Sequence, residues 1–252
     1  MSRPPNPLRA IVTGAGHGIG LAVARRLMAT GARVAVLALN PESAAAAAAL
    51  LGAAAVPLSG DLADAATNRG LMEDALRHLG GVDVLINNAG WTRTTPFLDE
   101  APDYWDRVLA VNLRAVVVST QVVLRAMVAQ GTGGAIVNVV SDAGRVGMAG
   151  EAVYAAAKGG VIALTKSLAQ EMARHAIRVN AVAPGPTNTR VLADNMAGPD
   201  AAARIDRMIR RIPLRRVAEP DDIAGVVCFL AGPEAAYITG QVLSASGGLT
   251  MV

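Results

Sequence analysis

Thr13-Gly14-Ala15-Gly16-His17-Gly18-Ile19-Gly20 is the stretch that decides how this chain folds. It follows the apolar run Ala10–Val12 and leads into the helical pattern Ile19–Thr30. Glycines in that place let the backbone turn tightly and approach a pyrophosphate, whose charge is met by the helix N-terminus. A glycine pattern alone is weak, but a strand before it and a helix after it are the context that gives it meaning. The spacing is Gly-x-x-x-Gly-x-Gly rather than Gly-x-Gly-x-x-Gly.

Outward from this loop, short apolar runs alternate with longer helical patterns. Strands are predicted at Ala10–Val12, Val34–Leu39, Ala54–Leu58, Val84–Ile86, Ala135–Val140, Val179–Ala183 and Val242–Ala245. Helices are predicted at Ile19–Thr30, Pro41–Leu51, Ala65–Leu79, Asp103–Gln130, Ala152–His175 and Asp221–Leu230. Gly31 stops the first helix, and Asn40-Pro41 opens the second with an N-cap and a proline at the first position. Strands without polar alternation, separated by helices, imply a parallel sheet covered on both faces. No linker divides the chain, so residues 1–252 read as one α/β domain. From Pro184 to Pro220 no strand is predicted, and an insertion of that length reads as a substrate lid, about 186–220, ordered in part by the helical pattern Ala201–Arg211.

Composition narrows the class. Hydrophobic residues make up 52% and aromatics 3%, so the core must come from Ala, Val, Leu and Ile. The net charge of +3 is almost all arginine and is spread along the chain, unlike a nucleic-acid binder with its basic patch and stacking aromatics. Only the pI of 9.5 speaks for nucleic acid. The single Cys228 allows no intrachain disulfide and no cysteine-rich metal site, and no metal is expected. Met1 to Pro7 lacks the apolar segment of a signal peptide, and Leu113 to Gly131 is interrupted by Arg114, Ser119, Gln121 and Arg125. A cytoplasmic protein without membrane or nucleic-acid partners is expected.

Three residues carry candidate chemistry. Lys158, one of two lysines, stands four positions after Tyr154 in a helical stretch, so both share a face. A free phenol titrates near about 10, and a nearby cation should lower that value toward useful acid–base chemistry. Ser141 ends the predicted strand Ala135–Val140, at the carboxyl edge where open parallel sheets bind ligands, and its hydroxyl can hold a carbonyl oxygen.

These motifs, with Asp61-Leu62, Asn87-Asn88-Ala89-Gly90, Asn112 and Pro184-Gly185, occur in an order and spacing that resemble the short-chain dehydrogenase/reductase family from end to end. The resemblance implies a seven-stranded Rossmann-type doubly wound sheet, a homotetramer, and a reaction between a secondary alcohol and a ketone with NAD or NADP. It implies a catalytic set of Asn112, Ser141, Tyr154 and Lys158, with Lys158 also on the nicotinamide ribose and Asn112 anchoring a relay water. A buried amide bonding a helix kink is a compatible reading of Asn112. The cofactor site implied is Gly14, His17, Gly18, Ile19 and Gly20 on the loop, Ala38, Leu39 and Asn40 after the second strand, and Asp61 and Leu62 at the adenine. It continues through Asn88, Ala89 and Gly90 to Tyr154, Lys158, Pro184, Gly185, Thr187 and Thr189. The helical Gly159-Gly160 reads as a smooth face for another subunit. An aspartate that selects NAD falls at Ala38 here, and Leu39 stands where NADP enzymes often carry arginine, so both cofactors are expected, with a lean to NADP.

Within the family, Ser141–Gly147, Gly150–Tyr154, Pro184–Thr187, Thr239–Leu243 and the tail Ser246–Met251 are similar to 2-hydroxycyclohexanecarboxyl-CoA dehydrogenases and 3-oxoacyl-[acyl-carrier-protein] reductases. That implies a substrate pocket of Trp91, Ser141, Met148, Glu151, Leu192 and Met196, although core packing is the plainer reading of each methionine. Arg204, Arg207, Arg210, Arg211, Arg215 and Arg216 in the lid are either a solvated helix face or a dock for the phosphates of an acyl thioester. The competing function is a catalytically silent nicotinamide-binding regulator of the same fold, against which the intact catalytic set argues.

Overall fold

The computed structural model describes residues 7–196 and 200–252. Met1 to Asn6, and residues 197–199 of the expected lid, lie outside the described residues. All seven predicted strands form: β1 (Arg9–Thr13), β2 (Arg33–Ala38), β3 (Ala55–Ser59), β4 (Val84–Asn87), β5 (Gly134–Val139), β6 (Ile177–Pro184) and β7 (Val242–Ala245). They join one parallel sheet in the order β3-β2-β1-β4-β5-β6-β7. The order reverses between β1 and β4, and there the carboxyl ends of two neighbouring strands diverge into a crevice.

The helices are α1 (Gly18–Ala29), α2 (Pro41–Leu51), α3 (Ala65–Leu79), α4 (Pro102–Leu109), α5 (Ala115–Gln130), α6 (Ala143–Val146), α7 (Ala152–Met172), α8 (Arg190–Met196), α9 (Ala201–Arg211) and α10 (Pro220–Ala231). One face of the sheet packs on α1 and α10 through Val12, Val23, Leu27, Ile86, Ile223 and Val227. The other packs on α3 and α5 through Ile11, Leu37, Met72, Leu85, Val123 and Met127. Such β-branched and aliphatic strands, buried on both sides, are what the unbroken apolar runs demand. The segment Pro102–Gln130 has the length and apolarity to cross a membrane, with 61% of its most apolar window buried inside the fold.

Local chemistry explains several boundaries and corrects others. Gly31 takes φ +87 and returns its N–H to the Met28 carbonyl at 2.8 Å, stopping α1 as expected. Asn40 precedes Pro41 at the start of α2, but its side chain makes no capping bond. The side-chain cap belongs instead to Asp64, which accepts from the Thr67 N–H at 2.7 Å. The predicted helix Asp103–Gln130 is present with a π-helical turn at Ala110–Arg114. There Asn112 Nδ2 donates to the Val108 carbonyl at 3.0 Å, taking the acceptor its own backbone N–H would use and widening the helix.

Gly159 and Gly160 do not present the smooth outer face expected of them. A Cβ on Gly144 of α6 would lie 2.9 Å from the Gly159 nitrogen, and one on Gly160 would lie 3.2 Å from the Leu113 side chain. Their want of side chains is used for close packing inside this chain. Cys228 is partly buried on α10 beside α1, and burial pushes its thiol up to about 11, as a packing role requires.

Candidate active site

The glycine loop is a cradle that side chains would fill. A Cβ on Gly20 would fall 2.3 Å from the Gly14 carbonyl oxygen, and one on Gly16 would fall 3.1 Å from Ala38 Cβ. Gly14 and Gly18 take φ +63 and +56, in the left-handed region. A latch between β1 and β4 holds the loop. Thr13 Oγ1 accepts from the Asn88 and Ala89 N–H groups at 2.9 and 3.0 Å, while Asn88 Nδ2 donates to the Thr13 and Gly14 carbonyls. Asn88 therefore shapes the cradle with its side chain. Thr13 was not singled out from sequence, although its place one residue before the first glycine was a usable signal.

The remaining cofactor candidates ring this cradle. Ala38 ends β2, is 8% exposed, and faces Gly16. Leu39 is 58% exposed, Asn40 and His17 are exposed, and Ile19 and Leu62 are partly buried against the core. Asp61 pairs with Arg107 at 2.7 Å and accepts from the Ala63 N–H; burial pushes its pKa up, but these partners outweigh it and hold the carboxyl low. Across the crevice, Pro184 ends β6, and a Cβ on Gly185 would fall 2.8 Å from Ser246 Cβ on the chain leaving β7. Thr187 is buried and donates to the Gly185 carbonyl, and Thr189 Cγ2 would lie 3.3 Å from a Cβ on Gly18. The segment after β6 thus comes down on the glycine loop.

Three elements bring the catalytic candidates together. Ser141 follows β5, and its Oγ accepts the Ala143 N–H at 3.1 Å as α6 begins. Tyr154 and Lys158 share the inner face of α7, with Lys158 Nζ 5.6 Å from the Tyr154 ring centroid. Lys158 is 3% exposed and donates to the Val139 carbonyl at 3.0 Å. Asn112 is fully buried; its Nδ2 donates to the Trp91 carbonyl at 2.7 Å and its Oδ1 accepts the Trp91 N–H at 3.2 Å. Gly90 lies where these groups converge, since a Cβ there would be 3.0 Å from Asn112 Oδ1 and 3.4 Å from Lys158 Nζ.

The electrostatics differ from the expectation that Lys158 lowers the phenol. Burial, then the Glu151 charge, push the Tyr154 pKa well above its ordinary value, and the nearby Ser141 hydroxyl is the contribution that opposes them. Burial also depresses Lys158 to about 8, so its charge is only partly present in mildly alkaline solution. The ammonium points at Val139 rather than at the phenol oxygen. Desolvation of the phenolate therefore wins in the free site.

The expected pocket residues sit on segments that are tied to one another. The loop carrying Trp91 to Thr95 is tied to the loop before α7 by the Thr95 N–H to Gly150 carbonyl bond at 2.9 Å, and to α8 by the Thr94 N–H to Asn195 Oδ1 bond at 3.2 Å. Trp91 is 39% exposed and meets Tyr104 edge-on, with centroids 5.6 Å apart. Met148 is 47% exposed, so core packing does not account for it. Glu151, Leu192 and Met196 are partly buried. Tyr104, missed from sequence, anchors the wall by donating to the Arg93 carbonyl at 2.8 Å. An open cleft of about 660 Å³ lined by Arg145, Lys166, Gln170 and Gln241 lies elsewhere, and none of the four catalytic candidates lines it.

A phosphate cradle at the switch point of a parallel sheet, beside a Ser–Tyr–Lys set, defines a nicotinamide-dependent oxidoreductase. The family described as enoyl-(acyl carrier protein) reductase matches residues 14–250. The sequence is 37% identical to a sorbitol dehydrogenase of Cereibacter sphaeroides, over 95% of this chain and 96% of that protein. It is 38% identical to a (3R)-3-hydroxyacyl-CoA dehydrogenase of Canis lupus familiaris, over 98% and 99%. It is 39% identical to the 3-oxoacyl-[acyl-carrier-protein] reductase FabG of Salmonella typhimurium, over 96% and 97%. The fold superimposes with a TM-score of 0.90 on a solved structure from Sinorhizobium meliloti described as a short-chain alcohol dehydrogenase, at 39% identity and 96% coverage of both chains. The chain belongs to the short-chain dehydrogenase/reductase family and is an NAD(P)-dependent dehydrogenase/reductase acting on alcohols and ketones.

Proposed function

We propose that this enzyme acts on a cyclic or β-hydroxyacyl thioester, with Ser141 and Tyr154 handling the oxygen that is reduced or oxidised. The observation that carries the assignment of chemistry is Lys158 Nζ lying 5.6 Å from the Tyr154 ring centroid on the inner face of α7, with the Ser141 hydroxyl at the end of β5 near enough to ease ionisation of that phenol. In the ketone direction Ser141 Oγ donates to the carbonyl oxygen and Tyr154 delivers its proton to that atom; in the alcohol direction the proton returns. The cofactor supplies or takes up the hydride. Gly14, Gly18, Ile19 and Gly20 would cradle its pyrophosphate, and Lys158 would meet its ribose. Because Ala38 offers neither hydrogen bonds to a ribose hydroxyl nor repulsion of a 2′-phosphate, both cofactors serve, with a lean to NADP(H).

The thioester reading is supported by relatives named for acyl-CoA and acyl-carrier substrates, and by the exposed Arg207, Arg210 and Arg211 on α9. Charge-assisted bonds from such arginines suit phosphate oxygens. A homotetramer in the cytoplasm completes the reading. The test is turnover of β-ketoacyl-CoA, a cyclic ketone and the corresponding alcohols with NADH and NADPH, run in parallel with Tyr154→Phe. The variant should lose roughly a hundred- to ten-thousand-fold in turnover while retaining cofactor binding. A variant keeping most of its turnover would refute the role of the phenol.

A further inference from the structure

Asp142, next to Ser141, is buried, and its carboxylate is held by a side chain from the far end of the sequence. Its Oδ1 accepts from Ser244 Oγ of β7 at 2.6 Å, the length of a charge-assisted bond. Its Oδ2 is buried with no hydrogen-bond partner among the described residues. Ser244 Oγ in turn accepts from Arg145 Nη1 at 2.9 Å, and the same nitrogen donates to the Val242 carbonyl at 3.0 Å. A hydroxyl has one proton to give, so the guanidinium on its oxygen leaves that proton directed at Asp142. A buried acid with so few partners depends heavily on each of them, because a buried polar group left unpaired is costly.

We propose that Asp142 and Ser244 are positioning residues: the Arg145–Ser244–Asp142 bridge from β7 to α6 sets where Ser141 Oγ meets the substrate oxygen. The inference rests on the proposed role of Ser141. With four residues, α6 is too short to fix its own direction and takes it from its tethers. Ser141 Oγ accepts the Ala143 N–H at 3.1 Å, so the hydroxyl moves with this turn, while its own proton stays available for the substrate. Asp142 is the residue between them, and its carbonyl takes the Arg145 N–H at 2.9 Å, which closes the turn back on the bridge. The neighbouring ties are backbone bonds: the Asp142 N–H to the Pro184 carbonyl and the Gly185 N–H to the Ala245 carbonyl, both at 3.1 Å. A change confined to the Ser244 side chain leaves those bonds, and with them the cofactor side of the crevice, in place.

The measurement is a double-mutant cycle on kcat/KM for reduction of a cyclic ketone, using wild type, Ser244→Ala, Ser141→Ala and the double variant, with NADPH binding followed by calorimetry. Ser244→Ala should lose about ten- to a hundred-fold, the scale on which a catalytic group displaced by an ångström costs rate. Its affinity for NADPH should match the wild type's. In the Ser141→Ala background the same change should cost nothing more, because the bridge acts through the hydroxyl already removed. Asp142→Asn, isosteric and still able to accept from Ser244, should keep most of the activity that Asp142→Ala loses, which separates the bond from general destabilisation. Losses that multiply in the double variant, a Ser244→Ala enzyme as active as the wild type, or an Asp142→Asn enzyme as impaired as Asp142→Ala each overturn the inference. Failure of the underlying reading looks different: Ser141→Ala alone would then keep its turnover, and the inference would fall with it.

Discussion

Replacing Ala38 by aspartate tests the cofactor site at its most informative position. Ala38 is the last residue of β2, and its Cβ lies 3.1 Å from where a Cβ on Gly16 would stand, so a longer side chain there rises beside the cradle. Ala38 is 8% exposed, so the carboxylate enters a partly desolvated place where hydrogen bonds to a charged acceptor are worth about 1.5–3 kcal/mol. Two ribose hydroxyls can supply those bonds. A 2′-phosphate instead brings like charges together, at a cost of about 1 kcal/mol even with the screening of bulk water at 4 Å. The hydrogen bonds alone correspond to a shift toward NAD of roughly ten- to over a hundred-fold, and the repulsion of NADP adds about another fivefold. The assay is the ratio of kcat/KM for NADPH over NADH in both proteins at one ionic strength. A ratio that is unchanged or higher in Ala38→Asp would show that residue 38 does not reach the ribose, and the placement of the adenosine half would fall with it.

Three further outcomes follow from the same geometry. Gly20→Ala would drive a methyl to 2.3 Å from the Gly14 oxygen, so α1 must shift; a loss of about 1–3 kcal/mol in stability is expected, with weakened dinucleotide binding by calorimetry, and wild-type behaviour in both would refute the cradle. Lys158 falls from its ordinary 10.5 to about 8 in the fold, so the unfolded chain binds its proton more tightly and this group's stabilisation is complete above 10.5 and lost as pH falls through 8. Between those limits wild-type stability in urea should rise by about 3 kcal/mol relative to Lys158→Met, and parallel curves would contradict the burial of the ammonium. Replacing Arg207, Arg210 and Arg211 with alanine should raise KM for an acyl-CoA and spare a small cyclic ketone; equal effects on both would point to a damaged lid rather than a phosphate dock.

Much of this protein was written in local pattern. Apolar runs without polar alternation located every strand, and the bounds of α2 and α3 coincide with those read from periodicity and caps. The Tyr154–Lys158 spacing placed both on one helix face, and the glycine loop marked the turn where a pyrophosphate would meet the first helix. These features survive in the sequence because helix and strand periods, and a glycine's positive φ, are properties of neighbours along the chain.

What only the tertiary structure decided involves groups distant in sequence. Thr13 latches Asn88 and Ala89 across about 75 residues, and Asn112 gives its amide to Trp91 and the helix's own Val108 carbonyl, creating the π turn. Gly159 meets Gly144 inside the chain, a packing that no spacing rule reveals. The sign of the Tyr154 shift also required the fold. Sequence supplied a lysine near the phenol, but its ammonium is turned to Val139, and burial from several elements raises the phenol, because desolvation depends on everything packed around a group and not on its neighbour four residues away.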